Sequence, residues 1–413
     1  MRARWSVRLS RLVCLQNSIV MKQRRILATY MRGGTSKGVF FRRSDLPENR
    51  SERDRVLLRA LGSPDPYRQQ MDGMGGATSS TSKVVVVWPS STSGCDVEYD
   101  FGQVAVDKPA IDWSGNCGNL TSAVGPFAIA QGMLQAPRDG AACVRLRNCG
   151  LDARIDAYVP MSCGEVVENG DFELDGVSFP GAEIRLEFLH PGQQTSTSDG
   201  LFPTGLTMEQ LDVPGIGSYD VTMTTAGNPT VFVLARQLGL QGDEGPARIN
   251  ADPAMLAKLE AIRVCAAVRM GMARNVEEAG EVCLHTPKIC FVGMPSPFVA
   301  ANGRLVPATE IDLNARIVSM GKLHHAMTGT GAIALGVAAA TPGTLVSQLL
   351  DGTRSSIRFG HASGSMSVGA EAEASAGSWR VTKVLLSRSA RRLMEGSVFV
   401  PADVFSEHER GRV

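Results

Sequence analysis

The sequence predicts an α+β protein built from two similar halves, residues 26–200 and 201–413. A chain of 413 residues is too long for one ordinary hydrophobic core, so two domains are expected. Each half offers β-rich segments, then a glycine-containing turn that opens a helix of small residues, and then more β-rich segments. The stretch PGQQTSTSDGLFPTG, residues 191–205, has the composition of a linker between the halves.

The strand predictions rest on short segments that lie between turn residues. Residues 82–89, SKVVVVWP, form a β-branched run. Residues 95–107, CDVEYDFGQVAVD, predict two strands around Gly102. Four further segments alternate apolar and polar residues: 142–148, 153–160, 171–179 and 183–190. Together these segments predict an antiparallel meander with one buried face.

Three segments predict helices. One follows the turn Gly-Asn-Cys-Gly-Asn, and Pro126 inside it predicts a kink or a break because proline lacks a backbone donor. A second, residues 252–272, has a proline near its start and a clear three-to-four spacing of apolar residues. The third, residues 321–343, is rich in glycine and alanine and ends at Pro342. Such small residues allow neighbouring backbone to approach closely.

The first 25 residues differ from the rest of the chain. They are rich in arginine, lack acidic residues and contain a second methionine, Met21. We interpret residues 1–25 as a disordered leader or an extension from an upstream start. A transit peptide is the alternative.

The bulk composition argues against several classes of partner. The 42 Lys and Arg residues balance 41 Asp and Glu residues, so no net field favours a nucleic acid or a membrane surface. No apolar run approaches the roughly 20 residues that span a bilayer. The nine cysteines and six histidines form no metal-binding pattern, so no metal site is expected. Reduced thiols in a chain of this length indicate the cytoplasm.

The first of four candidate segments is MRGGTSKGVFF, residues 31–41. It lacks the spacing of a P-loop and leads into a strand rather than a helix, so nucleotide binding is not expected. Its backbone N–H groups, the hydroxyls of Thr35 and Ser36, and Lys37 could contact an anion. A tight turn with a solvated lysine is the alternative.

The second segment is DGMGGATSSTSKVVVV, residues 72–87. Glycines precede a run of hydroxyl residues that includes Ser79 and Ser80, and Lys83 follows at the start of an apolar strand. Burial of Lys83 at this point would lower its pKa and make it a candidate base. The alternative is a lysine that extends from the strand end into solvent.

The third segment is SGNCGN, residues 114–119. The free N–H groups of a helix start favour a carboxylate or a thiolate. Glycines on both sides of Cys117 allow the backbone to approach a ligand. An inert buried cysteine is the alternative.

The fourth segment, SMGKLHHAMTGTGA, residues 319–332, is the counterpart of the third in the second half. It places Lys322 and two adjacent histidines beside a Gly-Thr-Gly turn that contains no cysteine. Only one of two adjacent residues on a helix can face inward, and we choose His325 over His324 as the candidate. The remaining histidines, His190, His285, His361 and His408, are predicted to be structural or solvated.

Together these segments resemble the 2-methylaconitate cis–trans isomerase family of the methylcitrate pathway. The resemblance runs from about Ile26 to about Val400 and rests on long motifs in the same order. The motifs are MRGGTSKGVFF, GSPDPYRQQMDGMGGATSSTSKVVV, FGQVAVDKPAIDWSGNCGNLTSAVG, HTPKICFV and SMGKLHHAMTGTGAIALG. The resemblance implies a diaminopimelate-epimerase-like fold: two pseudo-symmetric domains, each with β-strands wrapped around a central helix, and a site in the cleft between them.

The resemblance also implies a reaction that needs no cofactor. An isomerase of this family converts 2-methyl-trans-aconitate to 2-methyl-cis-aconitate, and we expect trans- and cis-aconitate as further substrates. The steps are removal of an allylic proton, rotation and reprotonation. Lys83 is the expected base, with Cys117 facing it across the substrate, and the reverse assignment stays open. The expected substrate contacts are Thr35, Ser36, Lys37, Ser79, Ser80, Asn116, Gly118, Asn119, Lys322, His325 and Thr328.

The wider superfamily includes racemases in which two thiols approach a carbon from opposite faces. Here the second turn holds Gly329–Thr330–Gly331 in place of a thiol, which argues against an amino-acid racemase. The alternatives kept are 4-oxalomesaconate tautomerase, aconitate isomerase, methylitaconate delta-isomerase and a non-catalytic binding protein. The expected partners are a small tricarboxylate, a second copy of the chain in a homodimer, and a 2-methylcitrate dehydratase in the same pathway.

Overall fold

The computed structural model describes residues 23–192, 200–375 and 378–405. Most of the predicted leader, the centre of the predicted linker and His408 lie outside the described residues. Residues 23–25, which the sequence assigned to the leader, instead begin a strand that pairs along its whole length with residues 390–401, the last strand in the described part of the chain.

The first half alternates strands with two long helices. In chain order its elements are β1 (Gln23–Gly33), β2 (Ser36–Arg42), α1 (Arg50–Leu61), β3 (Lys83–Pro89), β4 (Val97–Val104), β5 (Ile111–Asp112), α2 (Gly118–Ala130), β6 (Gly140–Asn148), β7 (Ala153–Ser162), β8 (Glu165–Val166) and β9 (Ile184–Leu189).

The second half follows a similar order with more helices. Its elements are β10 (Glu209–Val213), β11 (Gly217–Thr224), β12 (Thr230–Leu234), α3 (Ala235–Leu238), α4 (Pro246–Asn250), α5 (Pro253–Arg269), α6 (Val276–Val282), β13 (Lys288–Gly293), β14 (Phe298–Val299), β15 (Leu305–Val306), β16 (Leu313–Ser319), β17 (Lys322–Leu323), α7 (Gly329–Ala340), α8 (Leu345–Leu349), β18 (Ser356–His361), β19 (Gly364–Ser375), β20 (Ser378–Arg388) and β21 (Ala390–Pro401).

The two halves repeat one pattern of strand pairing. β1–β2 is antiparallel, β2–β3 parallel, β3–β4 antiparallel, β4–β6 parallel and β6–β7 antiparallel. β11–β12, β12–β13, β13–β16, β16–β18 and β18–β19 follow the same sequence of orientations. In each series a buried helix, α2 or α7, precedes the second parallel partner. The predicted antiparallel meander holds for β3–β4, β6–β7 and β7–β9, but β4–β6 is parallel because the chain crosses over α2 before it re-enters the sheet.

The last two strands return to the first half. β20 pairs with both β19 and β9, and β21 pairs with β1 over eleven positions. The C-terminal segment therefore completes the strands around α2 as well as those around α7. The division into 26–200 and 201–413 stays a prediction.

The helices α2 and α7 lie inside the strands because their residues are small or apolar on every side. All residues of α7 and residues 118–128 of α2 are buried. Leu120 and Phe127 of α2 share one hydrophobic cluster with Ile333 and Leu335 of α7. Burial of each such side chain contributes about 1.5–3 kcal/mol to stability. This packing fixes the N-termini of both helices.

Four of the predicted strand segments are confirmed: 82–89, 142–148, 153–160 and 183–190 coincide, within two residues at each end, with β3, β6, β7 and β9. Residues 95–107 form the single strand β4 rather than two strands. Gly102 lies within β4, and the position needs glycine because a Cβ there would lie 2.7 Å from a methyl of Ile111 and 2.8 Å from a methyl of Val84. Residues 171–179 form only an isolated bridge, between Phe172 and Gly181.

Each predicted helix is present, but the predicted ends do not always match those in the structure. Residues 253–269 form α5 as predicted. α2 continues through Pro126 to Ala130, so the expected break does not occur. None of the helices in the described residues is long and apolar enough to cross a membrane.

The predicted helix over residues 321–343 begins eight residues later than expected, at Gly329. Met320 and Gly321 both have positive φ and form the two-residue turn between β16 and β17. Lys322 is therefore an exposed residue of a β-hairpin rather than part of a helix.

Candidate active site

The N-termini of α2 and α7 meet at the centre of the molecule. A Cβ added at Gly118 would lie 2.9 Å from the carbonyl carbon of Gly329, and one added at Gly329 would lie 2.6 Å from the carbonyl carbon of Gly118. Only glycine allows this contact between the two turns. Because each helix start carries free N–H groups and a partial positive charge, the junction favours an anion.

A small inner cavity lies at this junction, with about 280 Å³ of space including open solvent. Its lining residues come from both halves: Ser36, Ser79, Lys83, Asn116, Cys117, Asn119, His285, Lys288, Ser319, His324, Thr328, Gly329 and Thr330. The lining contains two lysines, two histidines and a thiol but no carboxylate. It is therefore suited to a negatively charged ligand.

Lys83 is the first residue of β3 and is 5% exposed. Its Nζ donates a hydrogen bond of 2.6 Å to Oε1 of Gln103, and Gln103 donates from Nε2 to the carbonyl oxygen of Ser82. The Nζ atom also lies 4.9 Å from the centre of the Phe101 ring. Burial lowers the pKa of Lys83, and the neighbouring Cys117 opposes this effect. Lys83 therefore lies in surroundings that favour the neutral amine.

Cys117 is the N-cap residue of α2. Its Sγ accepts a hydrogen bond of 3.5 Å from the backbone N–H of Leu120 and lies 3.8 Å from Oγ of Ser36. The side-chain oxygen of Asn116 accepts the backbone N–H of Cys117 and the hydroxyl of Tyr99. The thiol is thus held in a fixed turn at the positive end of the helix.

Asn119, in the first turn of α2, connects two other polar groups. Its Nδ2 donates to Oγ1 of Thr35 at 3.0 Å, and its Oδ1 accepts from Nε of Arg388 at 2.8 Å. Burial lowers the pKa of Arg388 to about 10, so its guanidinium keeps its positive charge at neutral pH. This contact places a permanent cation beside the N-terminus of α2.

The second half contributes a buried lysine of its own. Lys288 is the first residue of β13 and is 2% exposed. Its Nζ donates to Oγ of Ser319 at 3.0 Å and to the carbonyl oxygen of His285 at 3.4 Å. Burial, and next the positive charge of Lys83, lower the pKa of Lys288 to about 7. The N-cap of α7 is Thr328, whose Oγ1 accepts the N–H of Gly331.

The cavity thus contains two half-sites related by the repeated strand pattern. The first half-site comprises Ser36, Lys83, Gln103 and Cys117, and the second comprises Asn228, His285, Lys288, Ser319 and Thr328. In each half-site a lysine is the first residue of a strand that pairs in parallel with the preceding strand. Lys83 of β3 donates a hydrogen bond to β4, and Lys288 of β13 donates one to β16, and both acceptor strands are antiparallel to the lysine's strand. The side chain of Asn228 joins the halves by two hydrogen bonds to the backbone of Asn116.

An outer cleft shares one lining residue, Ser36, with the inner cavity. It has about 1660 Å³ of space including open solvent, and basic residues lie along it. Its polar lining includes Arg32, Thr35, Lys37, Ser80, His325 and Arg391 and one acidic residue, Glu168. Three cationic side chains outnumber the one carboxylate in this lining, so the cleft favours an anion beside the half-sites.

The structure places the predicted site residues at three locations. Ser36, Ser79, Lys83, Asn116, Cys117, Asn119 and Thr328 line the inner cavity, and Thr35, Lys37, Ser80 and His325 line the outer cleft. Gly118 forms the contact between the helices. Lys322 lies in neither lining, so the structure separates it from the other candidates because the hairpin turn directs β17 away.

His324, and not the chosen His325, lies in the inner cavity. The two rings stack at 4.5 Å, and His324 is 6% exposed. Burial lowers the pKa of His324 well below its usual value, so it is neutral. The choice of His325 assumed that both histidines lie on a helix. It was wrong because the helix begins only at Gly329.

Sequence reasoning missed His285, Lys288, Ser319 and Thr330. A usable signal was present, because Lys288 in HTPKICFV opens an apolar strand just as Lys83 does in TSSTSKVVVV. In the described residues no group of three or more His, Cys, Asp and Glu side chains is arranged to hold a metal ion.

Comparison with known proteins relates this site to a family. Residues 23–401 match the family described as PrpF protein. A 2-methyl-aconitate isomerase from Shewanella oneidensis is 52% identical, covering 94% of this chain and 100% of the relative. One from Cupriavidus necator is 51% identical, covering 93% and 99%. A 4-oxalomesaconate tautomerase from Pseudomonas putida is 34% identical, covering 94% and 100%.

Solved structures support the fold. A methylitaconate-delta-isomerase superposes with a TM-score of 0.74 at 36% identity, covering 92% of this chain and 97% of the other. A hydroxyproline epimerase from Agrobacterium vitis, at 12% identity and a TM-score of 0.51, shares the fold over 94% and 95% of the chains. The expected α+β, epimerase-like fold is confirmed. The chain belongs to the PrpF protein family and is an isomerase.

Proposed function

We propose that this isomerase converts 2-methyl-trans-aconitate to 2-methyl-cis-aconitate without a cofactor, and that trans- and cis-aconitate are also substrates. The names of the two relatives above 50% identity support this substrate. The observation that carries the proposal is the inner cavity, in which buried Lys83 at the start of β3 and Cys117 at the start of α2 face a second cationic half-site. Such a site suits a small polyanion that reacts by proton transfer.

The substrate chemistry requires one base and stabilisation of negative charge. The CH2 group of the substrate is next to a carboxylate and allylic to the C=C bond. When a base takes one proton, the electron pair of the C–H bond delocalises over the allylic carbons and carboxylate oxygens. The former double bond can then rotate, and return of the proton to the same carbon gives the other isomer. Cations and helix N-termini that face the carboxylates stabilise this dienolate more than the substrate.

Lys83 is the base in this proposal. Its hydrogen bond goes to the neutral amide of Gln103, and in the described residues no carboxylate lies within ion-pair distance of its Nζ. A tricarboxylate alone would raise the pKa of Lys83. Lys288 and Arg388 supply positive charge for the substrate, so Lys83 can remain a neutral amine. Cys117 then polarises or orients the substrate, with carboxylates held by the N–H groups of α2.

The reverse assignment keeps the same reaction with the Cys117 thiolate as base and Lys83 as its electrostatic partner. It is favoured by the position of Sγ at the N-terminus of α2. The two assignments predict different relative losses for substitutions of the two residues, which are compared in the Discussion.

The same machinery could act on a related unsaturated acid. The tautomerase relative from Pseudomonas putida supports 4-oxalomesaconate as the second candidate substrate. We infer further that the enzyme is cytoplasmic, since the eight cysteines in the described residues are free thiols. A homodimer, two domains divided near residue 200, and a dehydratase that supplies the substrate complete the proposal.

Proton NMR in D2O tests the function directly. The purified enzyme is incubated separately with 2-methyl-trans-aconitate, trans-aconitate and 4-oxalomesaconate. We expect the fastest conversion with the methylated acid, and deuterium entering its CH2 group. Turnover of 4-oxalomesaconate alone would replace the substrate but keep the site. Absence of exchange with all three acids would overturn the isomerase mechanism proposed here.

A further inference from the structure

The second half-site contains two donors that the proposed reaction has not yet used. His285 and Lys288 belong to the motif HTPKICFV, are 5% and 2% exposed, and both line the inner cavity. Lys288 takes the same place at the start of β13 that Lys83 takes at the start of β3. The scaffold thus presents a second ammonium group from the opposite half of the molecule.

His285 has one ring nitrogen without a partner. The Oδ1 of Asn228 accepts the N–H of Asn116, which fixes the orientation of the Asn228 amide. Its Nδ2 therefore donates to Nε2 of His285, at 3.2 Å, and the hydrogen of this neutral imidazole is on Nδ1. That Nδ1 is buried and has no hydrogen-bond partner in the described residues. A buried donor of this kind requires an acceptor, which a ligand can supply.

The orientation of the His285 ring also leaves Nδ1 free to contact a ligand. A Cβ at Gly115 would lie 2.7 Å from Cδ2 and 2.9 Å from Nε2 of His285, so this edge of the ring packs against the Gly115 turn. Nδ1 lies on the other side of the ring and faces away from that backbone.

Lys288 is a buried lysine whose protonated form needs a counter-charge. Its hydrogen bonds go to a hydroxyl and a carbonyl oxygen, so the third N–H of the ammonium remains available. No carboxylate in the described residues lies within ion-pair distance of Nζ. The charged and titratable groups around it are Lys83, Cys117, Asp112, Arg263, His285 and His324. Its pKa of about 7 means that a bound anion would draw a proton onto Lys288 at pH 8.

We propose that His285 and Lys288 form a carboxylate-binding subsite that holds one carboxylate of the substrate while Lys83 and Cys117 act on the carbon skeleton. This inference rests on the proposed function. Lys83 takes the CH2 proton, becomes an ammonium and returns the proton to the same carbon. Lys288 stays protonated throughout and donates to the oxygen on which dienolate charge develops. Its charge also disfavours a second ammonium nearby, which keeps Lys83 neutral before reaction.

Calorimetry with tricarballylate tests the subsite without turnover, because this saturated tricarboxylate has no double bond to isomerise. A charge-assisted hydrogen bond predicts about 10- to 100-fold weaker binding for Lys288→Gln. A neutral bond predicts about 3- to 10-fold weaker binding for His285→Gln. Lys108→Gln, at an exposed lysine that lines neither the inner cavity nor the outer cleft, is the control and should bind as the wild type does. Unchanged affinity in folded Lys288→Gln and His285→Gln variants would overturn the subsite.

Proton uptake gives a readout that a merely structural lysine would not change. Titrations at pH 8 in buffers of different ionisation enthalpy should show uptake of about one proton by the wild type, because Lys288 is mostly neutral before binding. Lys288→Gln should remove this uptake, and His285→Gln should keep it. Uptake that persists in Lys288→Gln would overturn the role of Lys288. If Lys288→Gln fails to fold, weakened binding by His285→Gln still decides the subsite.

The outcomes separate this inference from the proposed function. If tricarballylate affinity depends on Lys288 but 2-methyl-trans-aconitate is not isomerised, the subsite stands and the function fails. If isomerisation proceeds and both variants bind tricarballylate normally, the function stands and the subsite fails.

Discussion

The two half-sites share a scaffold but differ in the residue at the start of their central helix. Cys117 caps α2 and Thr328 caps α7, and each side chain accepts the N–H of the residue three positions later. The lysines differ in surroundings: Lys83 contacts an amide oxygen and an aromatic ring, and Lys288 contacts a hydroxyl and a carbonyl oxygen. A duplicated fold can therefore divide its work, with the proton-transfer groups on one side and the anion-binding groups on the other.

The largest expected effect is on the turnover of Lys83→Gln. Loss of a general base lowers kcat by about 10²- to 10⁴-fold, and we expect about 10³-fold for 2-methyl-trans-aconitate. Thermal unfolding should occur at the same temperature or higher, because burial lowers the pKa of Lys83 and the wild type must release a proton from this lysine on folding. Lys288→Gln should instead act mainly on KM.

The same NMR assay and a thermal melt measure both variants. A loss below about tenfold in a folded Lys83→Gln protein would remove Lys83 as the base. If Lys83→Gln and Lys288→Gln changed kcat and KM by the same factors, the two half-sites would not have different roles.

The contact between the helix starts predicts the next effect. Gly329→Ala places a Cβ 2.6 Å from the carbonyl carbon of Gly118 and 2.7 Å from the backbone nitrogen of Asn119, so backbone must move. Overpacking of this kind costs about 1–3 kcal/mol in the free energy of unfolding. Gly118→Ala, whose nearest contact is 2.9 Å, should cost less. Both variants should also lose activity, because the shift displaces the half-sites.

A matched control separates this effect from helix propensity. Gly280 is a helical glycine in α6 with no atom within 4 Å of an added Cβ. Gly280→Ala should be neutral or stabilise the protein by up to about 1 kcal/mol. Urea denaturation of the three variants measures the difference, and equal stability of Gly329→Ala and Gly280→Ala would contradict the close helix contact.

Cys117→Ser should have a smaller effect than Lys83→Gln. Serine keeps an N-cap acceptor, so the free energy of unfolding should change by less than about 1 kcal/mol. Loss of the thiol should lower kcat by about tenfold if Cys117 orients or polarises the substrate, which is a loss of about 1.4 kcal/mol in transition-state stabilisation. A loss larger than that of Lys83→Gln, measured under the same conditions, would assign the base to the thiolate.

The first half-site was largely accessible from sequence, for physical reasons. A glycine-flanked cysteine before a run of small residues has few structural explanations, and the helix start at Gly118 is confirmed. A lysine after hydroxyl residues and before four valines is buried at a strand end, as expected for Lys83. Both features are local, because the residues that position them are adjacent in the chain.

The second half-site depends on contacts between distant segments. His285 interacts with Asn228 and Phe101, and nothing near His285 in sequence indicates those partners. His325 was predicted to face the site, but His324 does, because a hairpin turn at Met320 replaces the start of the predicted helix. The glycine- and alanine-rich pattern of this segment gave no sign of that turn. Periodicity also does not report strand order, so the return of β20 and β21 to the first half could not be read from it.

The smallest expected effect is that of Thr328→Cys, which gives both half-sites a thiol at the helix start. The new Sγ can accept the N–H of Gly331 as Oγ1 does, so stability should change by less than about 1 kcal/mol. We expect isomerisation within about threefold of the wild type and no exchange of the α-proton of amino acids, since Lys83, Lys288 and Arg388 would still select a polyanion. NMR in D2O with 2-methyl-trans-aconitate and, separately, L-proline measures both activities. Deuterium entering proline would mean that the residue at the N-cap of α7 alone distinguishes this enzyme from a two-thiol racemase. The different roles of Lys83 and Lys288 would then not determine which reaction is catalysed.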